Sequence, residues 1–218
     1  MTDNARILFE QNEVIQMYFN DPEWSRFDLK KEAVLKRRYE FFAGRVCAAL
    51  AYKKLTQKKL LELQINEDRS PKWPHGIVGS ISHNEKYVVA ELSSKAKGLG
   101  IDLATLGSVE KNLQESICNK DDVTQINGIS SEHFLTYIFS FKESLFKAVY
   151  PLVNEFFDFQ SASVTQVDFA QKTFQISLNE KISSLLSKKM NHSEKTFTFA
   201  GDFSILDQKT LLSRVIIP

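Results

Sequence analysis

"FSFKESLFKAVYPLV", residues Phe139 to Val153, is the stretch on which the fold turns. At about 100° per residue, Phe134, Ile138, Phe141, Leu145 and Val149 fall on one face. The spacing predicts a helix from Glu132 to Val149, capped by Ser130 or Ser131. Glu143 points the other way, with Lys147 four positions on and Thr136 and Ser140 on the same polar stripe, bordered by Phe139, Phe146 and Tyr150. A solvated face with a Glu–Lys pair, worth about 0.2–0.5 kcal/mol, is one reading. Three large rings beside a polar stripe are costly to leave in water, however, and they argue for burial against something else. A carboxylate buried there needs a partner.

Outward from this helix the pattern repeats. Beyond Pro151, "SASVTQVDF", "TFQISL", "TFTFAGDFSIL" and "LLSRVIIP" alternate apolar and polar residues as strands do, with a short helical or coil stretch near Lys181 to Lys189. Before it, a first long helix is expected from Leu29 to Leu55, carrying Val34, Leu35, Phe41, Phe42, Val46, Ala49 and Leu50 at roughly helical spacing. Pro71 and Pro74 then break the chain into a structured loop. "GIVGSIS" and "KYVVAEL" read as a hairpin, "KGLGIDLATLG" as a third strand, and Val109 to Ile117 as a further helical pattern. A long helix followed by strands, twice over, predicts an α+β protein of two similar halves. The halves are expected to meet near residues 105/106, to form one compact unit, and to hold a ligand in the cleft between them.

Composition narrows the function. A chain of 218 residues with 43% hydrophobic residues can bury a real core. Its 28 Lys and Arg against 27 Asp and Glu provide no global basic field of the kind that drives nucleic-acid binding. Cys47 and Cys118 are the only cysteines and show no CxxC or metal spacing, which points to a reducing compartment. No apolar run reaches membrane-spanning length and the N-terminus carries no export pattern, so a cytoplasmic protein is expected.

Four constellations could carry chemistry. Glu143 with Lys147 is the first, and Mg²⁺ with a phosphate would satisfy both. In "PKWPHGIVGSISHNEKYVVAEL", strand alternation sets Ile77, Gly79, Ile81 and His83 on one side and Val78, Ser80 and Ser82 on the other. His83 sits where the hairpin turns, as either a structural residue or a ligand contact. Asp102 interrupts the apolar run of "GLGIDLATLG", so it caps a turn or meets a metal. Arg37, Arg38 and Arg45, joined by Arg69, form a basic cluster. Arg37 and Arg45 lie two turns apart and could reach one phosphate, although ordinary surface arginines would look the same. GxxxxGK[ST], GxGxxG after a strand, HExxH and GxSxG are all missing.

"RRYEFFAGRVCAAL", "RSPKWPHGIVGSISH", "GIDL" and "FSFKESLFKAVYPLVNEFFDF", in that order and spacing between Arg37 and Phe159, resemble the 4'-phosphopantetheinyl transferases of the surfactin type and their enterobactin synthase component D branch. The resemblance implies two α+β halves related by a pseudo-twofold, each a long helix on a small antiparallel sheet. The N-terminal half (1–105) would take the nucleotide end of coenzyme A, and the C-terminal half (106–218) the metal and the carrier protein. The implied activity is Mg²⁺-dependent transfer of the phosphopantetheine arm of coenzyme A to a serine of an apo carrier protein by a cytoplasmic monomer, with release of adenosine 3',5'-bisphosphate. Carried over by motif, Asp102 and Glu143 would bind Mg²⁺ and Lys147 would contact the pyrophosphate. Ser82 and His83 would hold coenzyme A phosphates, and Arg37, Arg45 and Arg69 the phosphates at the nucleotide end. Glu143 is then the candidate acceptor of the serine proton, with Lys147 and His83 beside it in the catalytic set. Where many members read GIDIE this chain reads GIDLA, and Ala104 cannot coordinate a metal; Phe139 stands where the family helix usually begins with Trp. Loss of that acid motivates an alternative, a catalytically impaired coenzyme A-binding module. A third reading is an interaction protein whose aromatic stripe docks a partner helix.

Overall fold

A computed structural model describes residues 3–28, 33–191 and 194–218. The chain divides into two compact units, Met1–Ala96 and Lys97–Pro218.

In the first unit, β1 (Asn4–Glu10) runs directly into α1 (Gln11–Tyr18), and α2 spans Leu35–Thr56. β2 (Val78–His83) and β3 (Tyr87–Ser93) form the expected hairpin, and the antiparallel sheet has the order β1-β3-β2. Residues 29–32 of the predicted first helix lie outside the described residues. At its far end Gln57 turns left-handed and donates its N–H to the Lys53 carbonyl, which closes α2. Register fixes the faces. Gly79, Ile81 and His83 pair with Leu92, Ala90 and Val88, so all six share the face that carries the core with α2. A Cβ on Gly44 would come within 2.8 Å of Ile81, so α2 lies close on β2. Arg6, Ser80 and Glu91 share the opposite face, where Arg6 bonds Glu91 at 2.5 Å. The middle of α2 is buried all round because Val14, Phe27, Leu60 and Leu63 wrap its remaining sides.

The second unit holds β4 (Gly98–Thr105), a short α3 (Gln114–Ile117), α4 (Ser131–Val153), β5 (Ala162–Asp168), β6 (Thr173–Leu178), α5 (Glu180–Met190), β7 (Thr198–Leu206) and β8 (Thr210–Ile217). Its antiparallel sheet has the order β4-β8-β7-β6-β5. β4 therefore belongs to the second sheet and not the first. It follows β3 in sequence but pairs with β8, Asp102 opposite Ser213, and this moves the division of the chain from the expected 105/106 to 96/97.

Helix α4 is capped by Ser130, whose hydroxyl accepts from the His133 N–H, and it runs past the predicted end, through Pro151, to a left-handed Asn154. Of the expected core face, Ile138, Phe141, Leu145 and Val149 are fully buried and Phe134 only partly, and Phe141 stacks on Phe174 of β6 at 3.9 Å between ring centres. Both units thus present one long helix on an antiparallel sheet, an α+β architecture. Among the described residues, no helix is long and apolar enough to cross a membrane.

Candidate functional site

The polar stripe of α4 does not face water. Thr136, Ser140 and Ser144 are fully buried. The Thr136 hydroxyl accepts from the Gly107 N–H at 3.2 Å, and Ser140 and Ser213 share a hydroxyl–hydroxyl bond of 2.8 Å. Two glycines allow this close fit. A Cβ at Gly100 would stand 1.9 Å from the Ser144 carbonyl oxygen, and one at Gly98 would stand 2.4 Å from that of Ala148. β4 therefore rests its backbone on the helix backbone along the Gly98, Gly100 face. Because side chains alternate along a strand, Asp102 is the next residue on that face.

Asp102 is 6% exposed, and its carboxylate meets the Lys147 ammonium at 2.7 Å, while the same ammonium donates to the Ile101 carbonyl at 3.1 Å. Glu143, one helical turn before Lys147, completes the group. Burial pushes its carboxyl above the usual glutamate value; Lys147 pulls it back and Asp102 pushes it further up. Two acids from separate segments thus share one field with Lys147. Among the described residues no group of three or more His, Cys, Asp and Glu side chains is placed to hold a metal ion by itself. Two carboxylate oxygen donors suit a hard cation such as Mg²⁺, which usually keeps waters and takes its other ligands from substrate phosphates.

The aromatic border is covered by the chain itself. Phe146 packs on Tyr150, Phe156 and Phe157, and Phe139 packs on Phe159. Between α4 and this returning segment lies a cavity of about 450 Å³, lined by Glu143, Phe146, Phe156, Phe157 and Phe159 among others. Phe156 stands at 73% exposure, whereas Phe157 is buried.

Lys142, beside Glu143 in sequence and on the wall of the same cavity, has its ammonium buried in the interior. Its ammonium pairs with Asp122 at 2.6 Å and donates to the carbonyls of Ile117 and Phe159. Asp122 also accepts from the backbone N–H groups of Asn119 and Val164. This ion pair is fully hydrogen-bonded, which a buried pair needs, and it ties the returning segment to α4. Burial still pulls the Lys142 ammonium down from its usual value, against the opposing pull of Asp122.

In the first unit a second cavity of about 450 Å³ is lined by Arg37, Glu40, Phe41, Gly44, Arg45, Ile65, Arg69, Pro71, Ile81 and His83. Four of the predicted phosphate contacts, Arg37, Arg45, Arg69 and His83, are therefore together. Arg45 is 7% exposed and lies over the Phe41 ring. Desolvation, with Arg37 nearby, pulls its guanidinium down to about 10. Arg69 is held in the left-handed region at φ 70°, in a turn closed by its N–H on the Asn66 carbonyl. That conformation is strained for a side chain this large, and such strain collects at functional sites. Arg38 departs from the cluster: it pairs with Asp28 and lies over Phe19. Ser82 is buried on the face of β2 opposite the cavity.

The sequence profile of the 4'-phosphopantetheinyl transferase N-terminal domain matches residues 27–93, and that of the 4'-phosphopantetheinyl transferase superfamily matches residues 98–200. The gap between them falls where the two units divide. The chain belongs to the 4'-phosphopantetheinyl transferase superfamily. It is 28% identical over 137 residues to the 4'-phosphopantetheinyl transferase Npt of Nocardia iowensis, covering 62% of this chain and 61% of that protein. It is 31% identical over 143 residues to enterobactin synthase component D of Salmonella typhi, covering 65% and 60%. Against the 4'-phosphopantetheinyl transferase Svp of Streptomyces mobaraensis the identity is 33% over 140 residues, covering 61% and 56%. These matches span about three fifths of the length of the relatives.

Proposed function

We propose that this chain transfers the 4'-phosphopantetheine arm of coenzyme A to a serine of an apo carrier protein, whether peptidyl, aryl or acyl. The observation that carries the reading is the Asp102–Lys147 ion pair set against Glu143 in the fit between β4 and α4. The names of the relatives, enterobactin synthase component D among them, support a setting in siderophore or other secondary-metabolite biosynthesis. A cytoplasmic monomer is the form in which we expect it to act.

On this reading Asp102 and Glu143 hold Mg²⁺, Lys147 contacts the diphosphate, and Arg37, Arg45, Arg69 and His83 receive phosphate at the nucleotide end of coenzyme A. Ser82, turned to the other face of β2, contributes to that end only through the strand it shares with His83. When bound, the metal supplies charge neutralisation on the diphosphate. The protein's own work is positioning and electrostatics, as in other phosphoryl transfers. Glu143 accepts the proton of the carrier serine as its oxygen attacks the β-phosphorus. The bond from that phosphorus to the bridging oxygen breaks, and Lys147 stabilises the charge left on the departing adenosine 3',5'-bisphosphate. The apolar cavity beside Glu143 suits the arm, and exposed Phe156 at its rim suits the carrier.

The test is mass spectrometry of an apo carrier domain incubated with the chain, coenzyme A and Mg²⁺. We expect a gain of one phosphopantetheine, lost in Glu143→Gln and Asp102→Asn. Ala104 favours a second reading, a module that binds coenzyme A without transferring it. Calorimetric binding of coenzyme A with no mass gain on peptidyl, aryl and acyl carriers would establish that instead.

A further inference from the structure

We infer that Lys147 is the resident counter-ion of Asp102, and that the divalent cation is therefore taken up jointly with the diphosphate and not ahead of it. The inference rests on the functional reading above and concerns the order in which that site assembles. Lys147 already lies on Asp102 at 2.7 Å and is anchored by the Ile101 carbonyl at 3.1 Å, so a cation approaching Asp102 meets a neutralised carboxylate. β4 offers no second acid: Ala104 lies two residues on, on the same face, and presents a methyl group. No third acid, His or Cys joins the group among the described residues.

One lysine and two carboxylates leave the group one negative charge, a weak attraction for a divalent ion that wants six oxygens in near-octahedral array. A diphosphate changes both conditions. It brings its own oxygens to the cation, and it gives the Lys147 ammonium a more highly charged acceptor than Asp102. Lys147 then serves twice, holding Asp102 in place beforehand and releasing it as the diphosphate arrives. Linkage makes the effect mutual, because coenzyme A must tighten the metal by the same factor as the metal tightens coenzyme A.

The experiment measures Mn²⁺ binding to the intact chain by electron paramagnetic resonance of the free ion, with and without coenzyme A. For the unaltered chain we expect coenzyme A to tighten Mn²⁺ by about tenfold or more, within the usual range of coupling between sites. Lys147→Gln should bind Mn²⁺ alone at least about fivefold tighter than the unaltered chain and should lose part of the tightening by coenzyme A. Ala104→Glu, which keeps Lys147, should also bind Mn²⁺ alone more tightly. Should Lys147→Gln bind Mn²⁺ alone no better while coenzyme A still tightens the metal in the unaltered chain, the counter-ion role is overturned and the functional reading stands. Should Asp102→Asn and Glu143→Gln leave Mn²⁺ binding with coenzyme A unchanged, the functional reading falls, and this inference with it.

Discussion

Arg45 is the residue whose chemistry is least explained by the fold alone. It is 7% exposed and stacks on Phe41, and among the described residues no carboxylate pairs with it. Folding holds its guanidinium below its ordinary value, at about 10, so below that pH the charged form opposes folding. A bound phosphate would reverse the balance. Arg45→Met should therefore leave the thermal midpoint unchanged or raise it. It should weaken coenzyme A about ten- to a hundredfold in calorimetry, the equivalent of one charge-assisted hydrogen bond of about 1.5–3 kcal/mol.

Glu143 shows the same logic with the opposite sign. Its carboxyl is raised, first by burial, so its ionised form opposes folding above the raised value and the opposition fades as pH falls through it. In the absence of metal, Glu143→Gln should stabilise the chain against urea at pH 8, with the gain shrinking toward pH 5. A constant gain across that range would refute the assignment. At this scale much was legible: the Glu143–Lys147 spacing and the Arg37–Arg45 spacing each identify residues that share a surface. The Lys142–Asp122 pair was not, because nothing in "NKDDVT" says which aspartate turns inward.

At the scale of elements, hydrophobic period found the two long helices and all strands but the first, since a two- or three-to-four-residue repeat reports which face is buried and needs no knowledge of the partner. β1 and α1 escaped because "NARILFE" is short and runs into its helix without a turn signal. β4 was recognised as a strand but given to the wrong sheet. Neighbours in sequence usually pair, yet here Asp102 of β4 pairs with Ser213 of β8, 111 residues further along the chain, and strand order of that kind leaves no local trace. The glycines of "KGLGIDL" were its one readable sign. Gly100→Ala places a methyl 1.9 Å from a helix carbonyl, a backbone atom that cannot rotate away, so β4 must lift off α4. We expect a loss of about 1–3 kcal/mol in chemical denaturation, typical of overpacking. Transfer activity should fall further than stability does, because Asp102 moves with the strand.

For the molecule as a whole, the two units have separate hydrophobic clusters, one built on α2 and its sheet, the other on α4 and its sheet. Separate cores imply separate cooperative openings. Lys142 is the place to test this, since its ion pair with Asp122 is 1% and 2% exposed on the two side chains and joins α4 to β5 and the returning segment. Lys142→Met leaves the Asp122 carboxylate buried with only backbone N–H partners, and losing one member of such a pair costs about 3–5 kcal/mol. Hydrogen exchange should then accelerate for amides of α4, β5 and β6 while those of α2 and β3 keep most of their protection. Equal acceleration in both sets would mean that the clusters open as one. A confined effect would mean that the acid–lysine group can be loosened without disturbing the arginine cavity, so coenzyme A should still bind at its nucleotide end in a variant that no longer transfers the arm.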